Sequence, residues 1–242
     1  MNFVIVIVSH GNSADVNKLI SDIDMYVKPE ANDKLKIAII ENTLSDDECV
    51  KSAFFDTTYV RNFREHGFGE NNNVAVSLIP SDTYILLNPD VRLVHDIDLS
   101  ALAGMIYSDT VYSFKILNNN RDLNDFYRPK ITIYNLVRRK LNLREIGDPA
   151  WISGCSMIIP QSVYQTLCGF DEAFFMYLED CDLCLRAIAK GYKIQVLSDV
   201  EVIHEGKRKS RYSMRHLKMH LLSLMKYFYR LYFTGVYKGG PL

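Results

Sequence analysis

The chain of 242 residues predicts an α/β fold around a mostly parallel central sheet flanked by helices, on three observations. Val4 to Val8 and Lys36 to Ile40 are short apolar runs rich in β-branched residues, and Ala14 to Val27 between them carries helical spacing. Strand, helix, strand in that order makes the two strands parallel, because parallel neighbours need a crossover. A third apolar run, Thr83 to Leu87, ends in the polar Asn88-Pro89-Asp90, and polar residues at strand ends form ligand sites in such sheets.

The length and an apolar content of 48% suit one large domain with a full core. The apolar N-terminal run is too short to span a bilayer, lacks a basic leader and reaches Ser9 and His10, so it reads as a buried first strand. Five cysteines, at 49, 155, 168, 181 and 184, do not make a disulfide framework, and a reducing, cytoplasmic setting is the expectation. Charge is unevenly placed: nine Lys and Arg and no acid follow Glu205, which leaves residues 1–205 with a formal charge of −10. An acidic body of that kind argues against nucleic acid as a partner.

Further along, the polar segment Arg61 to Asn73 holds Gly67 and Gly69, which suit a tight, backbone-exposing turn. Leu117 to Asp125 reads as a loop, and the basic stretch Arg128 to Leu143 as a mobile or acceptor-facing segment. Gln161 to Leu167 and Leu178 to Ala189 read as helices, and Lys193 to Leu197 and Val200 to Ile203 as strands. From Ser210 to Phe233, Met214, Leu217, Leu221, Leu224, Phe228 and Leu231 fall on one helical face, with Arg211, Arg215, Lys218, Lys226 and Arg230 beside it. Such a helix suits an anionic membrane surface, with Tyr227, Phe228, Tyr229 and Tyr232 near the headgroups, or a solvated basic side on a packed helix. A domain over 1–206 and a basic amphipathic helical tail over 207–242 follow.

The chemistry-bearing stretch runs from Gly169 to Leu183, where Asp171, Glu172, Glu179, Asp180 and Asp182 lie among Phe170, Phe174, Phe175, Met176 and Tyr177. Desolvation there raises a carboxylate toward the range of a proton acceptor. A plainer reading also applies: acids favour a helix N-terminus, and Arg186 one turn on pairs with Asp182. Cys181-X-X-Cys184 falls inside this helix with no second pair at metal spacing and is discounted.

Val8-Ser-His-Gly, Glu41-Asn42, Gly67-Phe-Gly with Asn73, Leu87-Asn-Pro-Asp-Val, Ser153-Gly-Cys and Gly169-Phe-Asp-Glu…Glu179-Asp-Cys-Asp-Leu with Arg186, in this order, resemble the family 2 glycosyltransferases over roughly residues 3–206. The likeness points to the rhamnosyltransferase-like branch that builds bacterial surface polysaccharides such as O-antigen. It implies a Rossmann-like GT-A fold, a TDP- or UDP-sugar donor, Mg²⁺ or Mn²⁺, and transfer with inversion to a lipid-linked glycan. A divalent cation suits the charge that builds on the departing diphosphate, and a carboxylate must take the acceptor's hydroxyl proton.

Carried over residue by residue, the resemblance makes Asp90 a metal ligand, with Asn88 where many relatives have a carboxylate, and makes Asp180 the general base with Glu179 beside it. His204 resembles a histidine that completes the metal shell in some GT-A enzymes. Ser9, Glu41, Asn42 and Asn73 fall on the nucleotide side with Asn88, and Trp151, Ser153 and Gly154 on the acceptor wall. Turn formation at Asn88-Pro89-Asp90, a core role for the only Trp and a structural hydrogen bond for His204 are the plainer alternatives. Two other functional classes stay open: a non-catalytic nucleotide-sugar or glycan-binding module, for which Asn88 would mark a decayed metal site, and a nucleotidyltransferase. The second ordinarily shows a basic glycine-rich phosphate loop near strand one, which Ser9 to Asp15 lacks. The tail would serve a homodimer as well as a bilayer.

Overall fold

A computed structural model describes residues 1–28, 34–43, 49–123, 127–204 and 214–239. The chain opens with β1 (Asn2–Ser9), α1 (Ser13–Tyr26), β2 (Val27–Lys28), β3 (Lys34–Glu41), β4 (Asp56–Arg61), α2 (Phe68–Leu78) and β5 (Thr83–Leu87). It continues through β6 (Val91–Leu93), β7 (Ile97–Asp98), α3 (Leu99–Met105), β8 (Thr110–Leu117), β9 (Tyr127–Pro129), α4 (Ile133–Lys140) and β10 (Pro149–Ile152). It closes with β11 (Ser156–Pro160), α5 (Gln161–Thr166), α6 (Glu179–Ala189), β12 (Lys193–His204) and α7 (Met214–Tyr229), whose helix continues as a π-helical turn over Arg230–Thr234.

Eight strands form one sheet in the order β4-β3-β1-β5-β11-β8-β12-β6. The half containing β4, β3, β1 and β5 is parallel throughout; β4 is a half-exposed edge, but β1, β5 and the end of β3 are buried on both faces, which is why Val4 to Val8 and Ile37 to Ile40 read as unbroken apolar runs. The other half is mixed: β11 runs antiparallel to both β5 and β8, β12 is parallel to β8, and β6 closes the edge antiparallel to β12. The parallel order expected from the opening therefore stops at β5. Two apolar clusters cover the faces, one under α1 and α3 with Leu19, Ile20 and Leu102, the other under α2, α5 and α6 with Ala75, Val163 and Leu183.

Several local expectations change. Gly67 and Gly69 do not make an open turn. Gly67 precedes α2 with φ −67°, and a Cβ there would meet the Phe175 carbonyl oxygen at 2.6 Å, while one at Gly69 would meet Phe170 Cβ at 2.7 Å. The glycines are needed because the 170–175 backbone lies against the helix start, and Phe68 N–H donates to Phe175 O at 2.9 Å. The basic segment 128–143 contains β9 and the short helix α4, which Thr132 caps through its hydroxyl. The last two strand runs are a single strand, β12, with a bulge between Leu197 and Glu201. Residues 124–125 of the expected loop, Arg211, the start of the helix expected from Ser210 and the boundary expected at 206/207 lie outside the described residues.

The tail helix also packs differently from its expected stripe. Its inward side is Ser223, Tyr227 and Arg230, whereas Met214, Leu217 and Leu221 are exposed. Tyr227 is fully buried and its hydroxyl donates to Ile131 O, so it is not a headgroup aromatic, and Arg230 is not part of a solvated basic face. Both sides of the helix carry apolar residues, and the one turned inward is selected by polar partners at Ile131, Met176 and Asp182. Among the described residues no helix is long and apolar enough to cross a membrane.

Candidate active site

Because β11 is antiparallel to β5, the start of β11 lies against the end of β5, and the loops at those ends must touch. Asn88 N–H donates to Cys155 O at 2.9 Å, which fixes the Asn88-Pro89-Asp90 turn to the Ser153-Gly154-Cys155 turn. Asp90 and His204, at the end of β12, meet there with Oδ1 and Nε2 3.3 Å apart. Burial alone would lower the His204 pKa, but the Cys155 sulfur and the Asp90 carboxylate beside it raise it to about 10.

Asp180 reaches the same turn from α6. Its Oδ2 accepts from Gly154 N–H at 2.9 Å and its Oδ1 from Cys181 N–H at 2.7 Å. A Cβ on Gly154 would lie 3.3 Å from Asp180 Cβ, so a glycine permits this approach. Glu179, 7% exposed, differs: its Oε2 has no hydrogen-bond partner. Burial, then the charge of Asp180, push Glu179 well above the usual carboxylate range, whereas backbone N–H groups restrain the rise that burial causes at Asp180. Both acids are raised, Glu179 the further, which makes Glu179 the harder of the two to ionise. The chain enters α6 through Tyr177 and Leu178, at φ 71° and 67°, a left-handed pair costly for side-chain-bearing residues and found where a site imposes its geometry.

On its other side α6 is locked. Asp182, fully buried, receives Arg186 Nε at 2.7 Å, Arg230 at 2.8 Å and the Tyr237 hydroxyl at 2.6 Å, and Arg230 also bridges to Asp171. The expected pairing of Asp182 with Arg186 is present, joined by two partners from the C-terminal segment. Cys181 and Cys184 are buried free thiols within this packing.

At the ends of β1 and β3, Ser9 and Glu41 are buried. Burial would raise Glu41, but hydrogen bonds from Ser9, Thr43 and Gly11 N–H bring it below its ordinary value, so it is a held carboxylate. Asn42 is spent within the protein: its Oδ1 accepts from Asn62 and from His66 N–H, and its Nδ2 donates to His66 O. Asn73 is spent likewise, accepting from Tyr164 and Phe170 N–H and donating to Phe170 O and Glu172, which pins the 169–172 loop to α2. A cleft of ≈ 360 Å³ opens beside this end, between His10, Thr43, Phe175 and Tyr177 on one side and Arg215 and His216 of α7 on the other. Trp151 is half-buried between two clusters with Nε1 donating to Pro129 O, and Ser153 Oγ lies 3.3 Å from Cys155 Sγ.

The structure thus gathers Asp90, His204, Gly154 and Asp180 around one turn, with Ser9 and Glu41 at the neighbouring strand ends. Among the described residues no group of three or more His, Cys, Asp or Glu forms a ready metal cage. Asp90 supplies a carboxylate donor there, and His204 would add a second once a cation displaces its proton, a pair that would suit a metal drawing its remaining ligands from a diphosphate and water. Sequence reasoning missed Cys155 as the neighbour of His204, the left-handed entry to α6, and Arg230 with Tyr237 as partners of Asp182. Only Arg230 carried a signal, as a base among apolar residues.

Residues 134–232 match the family described as Glycosyl transferase family group 2. The rhamnosyltransferase WbbL of Escherichia coli is 30% identical over 93% of this chain and 92% of its own length. An N-acetylglucosaminyl-diphospho-decaprenol L-rhamnosyltransferase of Mycobacterium tuberculosis is 34% identical over 31% of this chain and 24% of its own. Among solved structures, the mannosyltransferase PcManGT from Pyrobaculum calidifontis in complex with GDP-Man and Mn²⁺ superposes with a TM-score of 0.60 over 93% of this chain and 64% of its own, at 13% identity, a likeness of fold alone. The full-length relationship to WbbL and the family match over the acid-bearing half agree, and the chain is a member of the family 2 glycosyltransferases, in their rhamnosyltransferase-like branch.

Proposed function

We propose that the protein is an inverting transferase that moves a deoxyhexose such as rhamnose, or a hexose, from a TDP- or UDP-sugar to a hydroxyl of a lipid-linked oligosaccharide in bacterial surface polysaccharide synthesis. The observation that carries this reading is the shared turn: Asn88 N–H and Asp180 Oδ2 are both bonded to residues 154–155, so the Asp90–His204 pair and the Asp180 carboxylate face one locus.

Asp90 and His204 would hold Mg²⁺ or Mn²⁺, which when bound offsets the negative charge of the departing diphosphate. Asn88 in place of a second carboxylate leaves that site with less negative charge, so the diphosphate supplies more of the coordination. Ser9 and Glu41 hold the nucleotide end, where a carboxylate kept ionised accepts from a pyrimidine N–H, a donor that uracil and thymine share. The cleft between His10, Thr43 and α7 admits the donor. Asn42, Asn73 and Asn88 act there by fixing backbone rather than by touching the base.

Asp180 takes the proton of the acceptor hydroxyl as that oxygen bonds to the anomeric carbon. The bond from the same carbon to the diphosphate breaks, and its electron pair leaves with the nucleotide. One displacement inverts the configuration. Trp151, Ser153 and Gly154 border the acceptor, and Glu179 keeps its proton and leaves the charge on its neighbour. The second acidic charge that would repel the departing diphosphate is thereby absent. The acceptor's lipid and the basic C-terminal helix support a peripheral position on the cytoplasmic membrane face, with residues 1–206 as the catalytic part. A homodimer through the tail is the competing use of that helix.

Purified protein with Mn²⁺ and a panel of sugar nucleotides, read by thermal shift and then by release of TDP or UDP with a lipid-diphosphate glycan acceptor, tests the reading. Turnover with one donor, lost in Asp180→Asn, is the expected result. Donor binding without turnover in the native chain would make it a binding module instead.

A further inference from the structure

Fifteen of the 28 Lys and Arg lie in two stretches that contain no acid, 126–144 and 206–242. The remaining sequence is therefore strongly acidic. In the structure these two stretches are neighbours. Ile131 packs against the same buried cluster as Leu224, Phe228 and Leu231, the Tyr227 hydroxyl donates to Ile131 O at 3.0 Å, and Arg139 lies near enough to His220 to lower its pKa after burial has done so. Position 131 thus sits opposite 227, and 139 opposite 220, which sets α4 antiparallel to α7.

Each helix turns an apolar stripe away from the protein. On α4 and the residue after it, Ile133, Tyr134, Val137 and Leu141 are 58%, 59%, 51% and 62% exposed, and they fall within one third of the helical circumference while Asn135 faces inward. On α7, Leu221, Leu222, Met225 and Tyr229 are 52% or more exposed, opposite the buried Ser223 and Tyr227. Exposed apolar area of this extent on a soluble domain marks a contact surface. Basic side chains rim it, with Arg138 and Lys140 on α4 and Lys218 on α7.

We propose that α4 and α7 together form a two-helix platform that lies on an anionic lipid bilayer, with α4 as a second membrane-contacting element beside the C-terminal helix. The proposal rests on the peripheral placement above and extends it to a part of the chain that the basic tail does not include. Charge selects the occupant: the platform attracts an anionic surface while the acidic body is repelled, which orients the molecule as well as holding it. A second copy fits less well, because an isologous contact would bring like-charged rims together. The inner side of α7 is bonded to α6 through Arg230, so the platform stands at a fixed distance from the Glu179–Asp180 pair.

The test is cosedimentation of the full chain with phosphatidylcholine vesicles, with and without about 30% phosphatidylglycerol, in low and high salt. The native chain is expected to bind only the anionic vesicles and to be released by salt. Val137→Asp with Leu141→Asp should lower the bound fraction at least ~tenfold, as should Leu221→Asp with Met225→Asp, with melting curves unchanged because all four side chains are exposed. The milder Val137→Ser with Leu141→Ser serves if the aspartates impair folding. Native-like binding by the folded α4 variant, failure of the native chain to sediment, or a dimer that the α4 variant converts to monomer would each overturn the proposal. No donor is present in the assay, so its failure is separate from a failure of glycosyl transfer.

Discussion

Two sides of the first turn of α6 use the same residue type for opposite ends. Asp182 is fully buried and has Arg186, Arg230 and Tyr237 as donors, so its charge is matched within the fold. Glu179, nearly as buried, has an oxygen with no partner, and Asp180 has only backbone N–H groups. A fully matched acid stabilises but cannot react. An acid left short of donors keeps its proton affinity, and the matched side is what holds it in place.

The comparison is sharpest under substitution. Asp180→Asn should lower turnover by about 10²- to 10⁴-fold, the range for losing a general base, with little change in melting, as read by nucleotide release and thermal denaturation. Asp182→Ala should do the reverse in kind: with Arg186 left without a carboxylate and Arg230 holding only Asp171, denaturant unfolding should show a loss of about 3–5 kcal/mol. Comparable melting losses in both variants would erase the division between the two sides. Gly67→Ala, which drives a Cβ against the Phe175 carbonyl, should cost about 1–3 kcal/mol and shift the loop that leads into α6.

Smaller effects refine it. The folded-state pKa of Glu179 is raised, so the folded protein binds a proton that the unfolded chain has lost. Its contribution is complete below the ordinary value of 4.5 and is lost as pH rises through the raised value. Glu179→Gln should therefore flatten the fall in stability over that window, measured by urea unfolding from acid to neutral pH, and an unchanged slope would remove Glu179 as its source. Tyr237→Phe, which deletes one of three donors to Asp182, should cost about 1 kcal/mol and leave the donor's KM unaltered.

The parallel half of the sheet was legible because strands buried on both faces leave continuous apolar runs, as in Val4 to Val8 and Thr83 to Leu87. The mixed half was less so. β8 and β11 are equally buried, but their antiparallel pairing is a property of the tertiary path and leaves no local pattern. Asp90, Asp180 and His204 could be singled out through the family resemblance, and the turn at 153–155 is where the fold brings them together. The duties of Asn42 and Asn73 were hidden, since an amide used to tie loops together reads the same in sequence as one facing a ligand. The tail shows why periodicity alone misleads: Leu224 and Leu221 share a stripe, yet polar partners at 182 and 131 decide which side is covered.

The reversal of direction between β5 and β11 has an architectural outcome. The two loop ends that carry Asn88 and Cys155 are adjacent through strand register, whatever the chain does between β8 and β11, and β9 and β10 pair with each other rather than with the central sheet. That intervening stretch takes no part in the pairing of the central sheet, though Ile131 and Trp151 pack against α6 and α7. Under the proposed function, exchanging it for the corresponding stretch of a relative should change the acceptor that is used while the nucleotide-sugar donor stays the same.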